Sequence, residues 1–234
     1  TGAGCGARSV TLALITGASR GIGRATALAL AERGTNLILL GRPSRGLDET
    51  AQIARQRVDV QAEHCDLGDV GAVHAACARI LERQTPDVIV NDAAIIERLS
   101  IEQTSVDAWD QQLAVNLRAP FQLARAFLPA MRARRSGRIV NVGSISATMG
   151  CAHAAAYAAS KWGLVGFTKS LAAELSDSGV MTLVVLPGSV DTDMLAGSGF
   201  APRMTAQDVA GTLVHYALDA PLAHNGAVIE MFGV

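Results

Sequence analysis

The sequence predicts an α/β fold: a single domain on a doubly wound parallel sheet of about seven strands, with helices on both faces. Three observations predict it. Short apolar runs alternate with helical stretches along the whole chain. The runs are apolar throughout, as strands covered on both faces must be. No linker, repeat or low-complexity block breaks the alternation, and 234 residues at 50% hydrophobic suit one large core.

The elements follow in order. Residues 1–9 are rich in Gly and Ala and read as a flexible lead-in, so the domain covers 10–234. The run at 10–16 is a strand that ends at Gly17. Residues 23–33 carry helical spacing and stop at Gly34. Residues 36–40 form a second strand, 48–57 a helix, and 58–65 an extended segment. Helical spacing returns over 70–84, followed by a buried strand at 87–90. A long helix is expected over 109–134, interrupted around Pro120 and Pro129, where the missing N–H breaks the ladder. Then come a strand at 138–142, a helix at 155–176, a strand at 181–186, a helix at 205–217 and a strand at 227–231. Ligands of such a sheet lie beyond the carboxyl ends of its strands.

Composition excludes several classes. A net charge of −1 gives no footprint for nucleic acid or an anionic membrane. The densest basic stretch, 131–138 with four arginines, reads as a solvated helix end. There is no apolar run of about 18 residues, so no membrane span is expected. Cys5, Cys65, Cys77 and Cys151 are scattered, without metal-ligand spacing. They read as idle thiols in a reducing compartment, and the expected location is the cytoplasm. The expected metal is none.

The first strand runs into Thr16-Gly17-Ala18-Ser19-Arg20-Gly21-Ile22-Gly23, and a helix follows. Glycines make the turn tight and let the backbone approach a pyrophosphate. The helix N-terminus offers free N–H groups and the positive end of a dipole. At the end of the second strand an acidic residue would accept from an adenosine ribose hydroxyl and indicate NAD. Gly41 and Arg42 stand there instead. Arg42, with Arg20 as a second cation, suits a 2′-phosphate. NADP(H) is therefore favoured over NAD(H).

Tyr157 and Lys161 are one helical turn apart and share a face. Lys161 is one of only two lysines, the other being Lys169. A compact cation beside a phenol favours phenolate, and the tyrosine could then exchange a proton near neutral pH.

Together, the glycine turn, the Tyr157/Lys161 pair and the chain length resemble the short-chain dehydrogenase/reductase family of classical type, and within it the 3-oxoacyl-ACP reductases. The resemblance covers the chain from about residue 11 to its end. It implies a Rossmann-like fold and adds Ser144, which lies 13 positions before Tyr157, and Asn116 to the catalytic set. Ser144 would orient the substrate oxygen, Lys161 would hold the nicotinamide ribose, and Asn116 would hold a water linking Lys161 to solvent. Asp66 and Leu67 would meet the adenine. Asn91 and Ala93 would line the cofactor cleft. Pro187, Gly188, Val190 and Thr192 would meet the nicotinamide. Two departures stand out: Asp92 and Ala94 occupy the positions of an asparagine and a glycine.

The implied reaction interconverts a ketone and a secondary alcohol, with Tyr157 as general acid/base. An NAD-dependent alcohol or polyol dehydrogenase is the alternative, and a non-catalytic dinucleotide-binding regulator a distant third. Residues 193–203 are Gly-rich and should form a short substrate lid. Ser146, Met149, Cys151, His153, Met194, Leu195 and Phe200 are candidate pocket walls. No cationic cluster marks a carboxylate site, and the small-molecule substrate stays open among 3-oxoacyl thioesters, polyols and cyclic ketones. The resemblance also implies a homo-oligomer, a tetramer or dimer, packed through the helices over 109–134 and 155–176.

Overall fold

A computed structural model describes residues 11–233. The lead-in expected at 1–9, with Cys5, lies outside them. Seven parallel strands form one sheet in the order β3-β2-β1-β4-β5-β6-β7. They are β1 (Leu12–Thr16), β2 (Asn36–Gly41), β3 (Val60–His64), β4 (Val88–Asn91), β5 (Gly137–Val142), β6 (Val180–Pro187) and β7 (Val228–Met231). The helices are α1 (Gly21–Glu32), α2 (Arg45–Ala54), α3 (Val70–Leu81), α4 (Val106–Leu113), α5 (Ala119–Ala133), α6 (Ala155–Glu174) and α7 (Ala206–Val214). Every expected strand and helix exists, with ends moved by a few residues.

Alternate residues of each strand feed opposite layers. Ala13, Ile15, Leu37, Leu39, Val90 and Val140 pack against Ala27 and Leu30 of α1, Leu47 of α2 and Leu213 of α7. Leu14, Ile38, Leu40, Ile89 and Ile139 meet Ile80 of α3, Phe127 of α5 and Leu171 of α6. The chain therefore reverses its winding between β1 and β4, and a crevice opens above their carboxyl ends.

The long helix is interrupted just before Pro120, as expected, but not at Pro129. Residues 114–118 form a single π turn between α4 and α5. Pro120 sits in the first turn of α5, and Pro129 stays inside α5 without ending it. The physical reason is one missing donor: Pro120 has no N–H to offer the carbonyl four residues before it, that of Asn116.

The basic stretch at 131–138 is also more than a solvated end. Arg132 donates to the Glu174 carbonyl, Arg134 to those of Thr85 and Pro86, Arg135 to that of Asp177 and Arg138 to that of Tyr216. These guanidiniums tie the ends of neighbouring elements together.

Candidate active site

The crevice is assembled from the β1–α1 turn outward. Gly17 (φ 76°) and Gly21 (φ 55°) hold the left-handed conformations that the turn requires. A Cβ on Gly17 would meet the Ala93 nitrogen at 2.8 Å, so the turn lies directly on the segment after β4. Thr16 locks that contact, its Oγ1 accepting from the N–H groups of Asp92 (3.1 Å) and Ala93 (3.0 Å). Ser19 and Ile22 complete the turn, and Ile22 packs on the core. Arg20 is the N-cap of α1 and supplies no side-chain cap. The N-terminus of α1 therefore has no cap from its own N-cap side chain and could face an anion from outside the chain. At the end of β4, Asn91 is buried and donates to Asn141 Oδ1 at 2.8 Å, while its own Oδ1 has no partner among the described residues. An uncapped helix end and an orphaned acceptor at the switch point fit a dinucleotide.

The two predicted phosphate readers diverge. Arg42 is exposed at the end of β2 and joins no ion pair among the described residues. Arg20 turns the other way and pairs with Asp193 at 3.2 Å, across the mouth of the crevice. Both partners are exposed, so this contact is weak. Asp66 turns its carboxylate back on its own loop, accepting from the Gly68 N–H at 2.9 Å, and Leu67 is buried beside it. Gly188 is fixed to β7, its N–H donating to the Met231 carbonyl. Val190 bridges Met204, and the Thr192 methyl would lie 3.3 Å from a Cβ on Gly21.

Tyr157 and Lys161 are both buried in α6. Lys161 Nζ donates to the carbonyl of Val142, the last residue of β5, at 2.7 Å, and stands 5.6 Å from the centre of the Tyr157 ring. Burial pulls Lys161 down to about 8. Tyr157 departs from the expectation: burial raises its phenol above the ordinary range, and Lys161 is not what opposes the rise. The Ser144 hydroxyl and the Arg98 guanidinium do so. Lys161 is spent on the Val142 carbonyl, while Ser144 faces the phenol from the turn after β5.

Asn116 is buried in the π turn before α5. Its Oδ1 accepts from the Ile95 N–H (2.8 Å), and its Nδ2 donates to the Ile95 carbonyl (2.9 Å) and to Ser160 Oγ (3.0 Å). These bonds tie the segment at Ile95 to α6. Ser160 passes the tie on, donating to the Tyr157 carbonyl at 2.6 Å.

Two residues in the crevice escaped the sequence reading as site residues. Arg98 reaches the Met194 carbonyl at 3.1 Å and lies close enough to Tyr157 to favour phenolate. Asp92 sits behind the glycine turn, with Oδ2 3.0 Å from a Cβ placed on Gly17 and 2.6 Å from one on Gly23. The departure from the family pattern was the available signal for Asp92; none pointed to Arg98.

The expected pocket walls are half-buried or exposed. Ser146 is half-buried, and its N–H donates to Ser144 Oγ at 3.1 Å. Met149, Met194 and Phe200 are exposed. His153 is exposed, takes φ 58° and is near enough to Glu102 to attract its carboxylate. Cys65 and Cys77 are buried thiols pushed up to about 11 by burial, as idle thiols should be. Among the described residues no group of His, Cys, Asp and Glu could hold a metal ion, and no helix is long and apolar enough to cross a membrane.

Comparison with known proteins bears on this geometry. The short chain dehydrogenase family matches residues 11–200. The 3-oxoacyl-[acyl-carrier-protein] reductase FabG of Escherichia coli is 37% identical over 186 residues, 78% of this chain and 75% of that protein. A trans-4-hydroxycyclohexanecarboxylate dehydrogenase of Sinomonas cyclohexanicum is 35% identical over 95% of this chain and 91% of its own. A structure assigned as an NAD(P)-dependent gluconate 5-dehydrogenase of Beutenbergia cavernae, with bound NADP, superposes with a TM-score of 0.89 at 34% identity, over 95% of each chain. A 3-oxoacyl (acyl-carrier-protein) reductase of Agrobacterium tumefaciens with NADP bound gives a TM-score of 0.88 at 28% identity, over 95% of this chain and 93% of that one. The chain belongs to the short-chain dehydrogenase/reductase family: it resembles the 3-oxoacyl-ACP reductases and is an NAD(P)-dependent oxidoreductase acting on CH–OH and carbonyl groups.

Proposed function

We propose that this enzyme is NADP(H)-dependent and interconverts a ketone and a secondary alcohol, with Tyr157 as the general acid/base. The observation that carries the reading is the buried Tyr157–Lys161 turn, faced by Ser144 and set beside the uncapped N-terminus of α1. The bound nicotinamide supplies or accepts the hydride. The chain supplies position and the proton.

Residues 17–23 would hold the pyrophosphate at the α1 N-terminus, Arg42 the 2′-phosphate, and Asp66 and Leu67 the adenine. Asn91, Ala93 and Lys161 would meet the riboses, and Pro187, Gly188, Val190 and Thr192 the nicotinamide. Ser144 donates to the substrate oxygen and fixes its direction. Tyr157 gives its proton to that oxygen in reduction and takes it back in oxidation. Burial keeps the phenol protonated at neutral pH, which suits the reducing direction. Asn116 acts by posture, holding the loop at Ile95 to α6.

Support for NADP comes from Arg42 at the end of β2 and from the two neighbouring structures, which both contain NADP. The named relatives act on 3-oxoacyl thioesters, a hydroxycyclohexane carboxylate and gluconate, which set the first substrates to screen. Half-exposed Phe121 and Trp162 on α5 and α6 support the expected oligomer.

The test is fluorescence titration of NADPH against NADH, followed by a ketone screen. Wild type should bind NADPH more tightly, Arg42→Ala should lose that preference, and Tyr157→Phe should bind cofactor without turnover. Equal or tighter NADH binding overturns the NADP assignment. Turnover retained by Tyr157→Phe overturns the acid/base assignment.

A further inference from the structure

The lysine of this site is buried, and its own hydrogen bond goes to a carbonyl, which disperses little of its charge. A buried ammonium of this kind stays protonated to higher pH with an opposite charge nearby. Among the described residues Lys161 is in no direct ion pair. One carboxylate acts on it, that of Asp92: β4 and β5 pair Asn91 with Asn141, so Asp92 follows β4 next to Val142, whose carbonyl Lys161 holds.

Asp92 is held on three sides. Its main-chain N–H donates to Thr16 Oγ1 at 3.1 Å. The Gly23 N–H favours its ionised form. Oδ2 lies so close under the turn that a Cβ on Gly23 would come within 2.6 Å. The residue as a whole is part-exposed towards the crevice, but the carboxylate itself is enclosed by the glycine turn.

We propose that Asp92 is the counter-ion of Lys161: a positioning residue whose fixed carboxylate keeps the buried ammonium charged beside Tyr157. The inference rests on the catalytic reading above, in which Lys161 works as a cation.

The charges around the pair are few. Asp92 feels Lys161 from α6 and the Gly23 N–H from α1. Lys161 feels Asp92. Tyr157 feels Asp92, which disfavours phenolate, with Ser144 and Arg98 acting the other way. Burial raises the Asp92 carboxyl to about 7, opposed by Lys161 and Gly23, and lowers Lys161 to about 8, opposed by Asp92. The signs give a window. Above about 7 Asp92 is ionised, and there it holds Lys161 protonated until about 8. Without the carboxylate Lys161 would release its proton at lower pH.

With only two lysines in the chain, the titration can be read directly. The full chain, labelled with [13Cε]lysine, gives two resonances, and Lys169→Arg identifies that of Lys161. Asp92→Asn keeps a side-chain oxygen and removes the charge. The expected result is a Lys161 midpoint lowered by roughly one unit with Lys169 unmoved, and a matching downward shift of the basic limb of the kcat profile. An unmoved Lys161 midpoint overturns the proposal. Should Asp92→Asn not fold, the reciprocal experiment decides. In Lys161→Met, the [13Cγ]aspartate resonance of Asp92 should titrate higher, because coupling is mutual; an unchanged midpoint there also overturns it. Neither titration needs a substrate. A failed ketone screen with shifted midpoints would sink the proposed reaction and leave the counter-ion standing.

Discussion

Gly23→Ala tests how tightly the cofactor turn is built. The added Cβ would come within 2.6 Å of Asp92 Oδ2 and closer still to the Gly17 carbonyl oxygen. Non-bonded carbon contacts are comfortable at about 3.5–4.0 Å, so relief requires movement on the order of 1 Å. Neither neighbour can give. Gly17 is itself pressed on the Ala93 nitrogen, and Asp92 is tied to Thr16. The start of α1 must therefore swing outward. Overpacking of this kind costs about 1–3 kcal/mol, and the helix propensity of alanine over glycine returns up to about 1 kcal/mol. The net loss of roughly 1–2 kcal/mol lowers Tm by about 2–4 °C for each kcal/mol in a chain of this size. Displacing by about 1 Å the N–H groups proposed to meet the pyrophosphate should weaken NADPH binding. NADPH fluorescence titration and thermal unfolding read both effects. Gly211→Ala is the control: its Cβ meets nothing within 4 Å in α7, and it should stabilise by roughly 0.5–1 kcal/mol with NADPH affinity unchanged. A Gly23→Ala protein that melts and binds NADPH like wild type would refute the packing argument.

Two further outcomes follow from the crevice. Asn116→Ala deletes three hydrogen bonds and strands the Ile95 N–H, so stability should fall by about 1–3 kcal/mol and hydrogen exchange at Ile95 should speed up; protection retained at Ile95 would contradict the assignment. Arg98→Ala removes a charge that favours phenolate at Tyr157 and the tie to the Met194 carbonyl. The tyrosine then ionises at higher pH, so the acidic limb of the alcohol-oxidation profile should move upward. A limb that stays in place would show that Arg98 acts on the lid alone.

The sequence by itself determined the sheet, the crossover helices and the cofactor turn. Those features are written in local periodicity and in glycines whose φ no other residue adopts readily, so nearest neighbours along the chain suffice to read them. It also placed Tyr157 and Lys161 on one helical face, because four residues make about one turn. Tertiary structure decided what the buried groups touch. Lys161 turned out to serve the Val142 carbonyl, 19 positions away, and Asn116 the backbone of Ile95, 21 away. Arg98 meets a carbonyl 96 positions on, and Arg20 pairs with Asp193 across 173. Asp92 shows the division most sharply. The sequence flagged a carboxylate where an amide was expected, but only the packed turn brought it under Gly23. Charges act through space, and the spacing of residues along the chain carries no record of that distance.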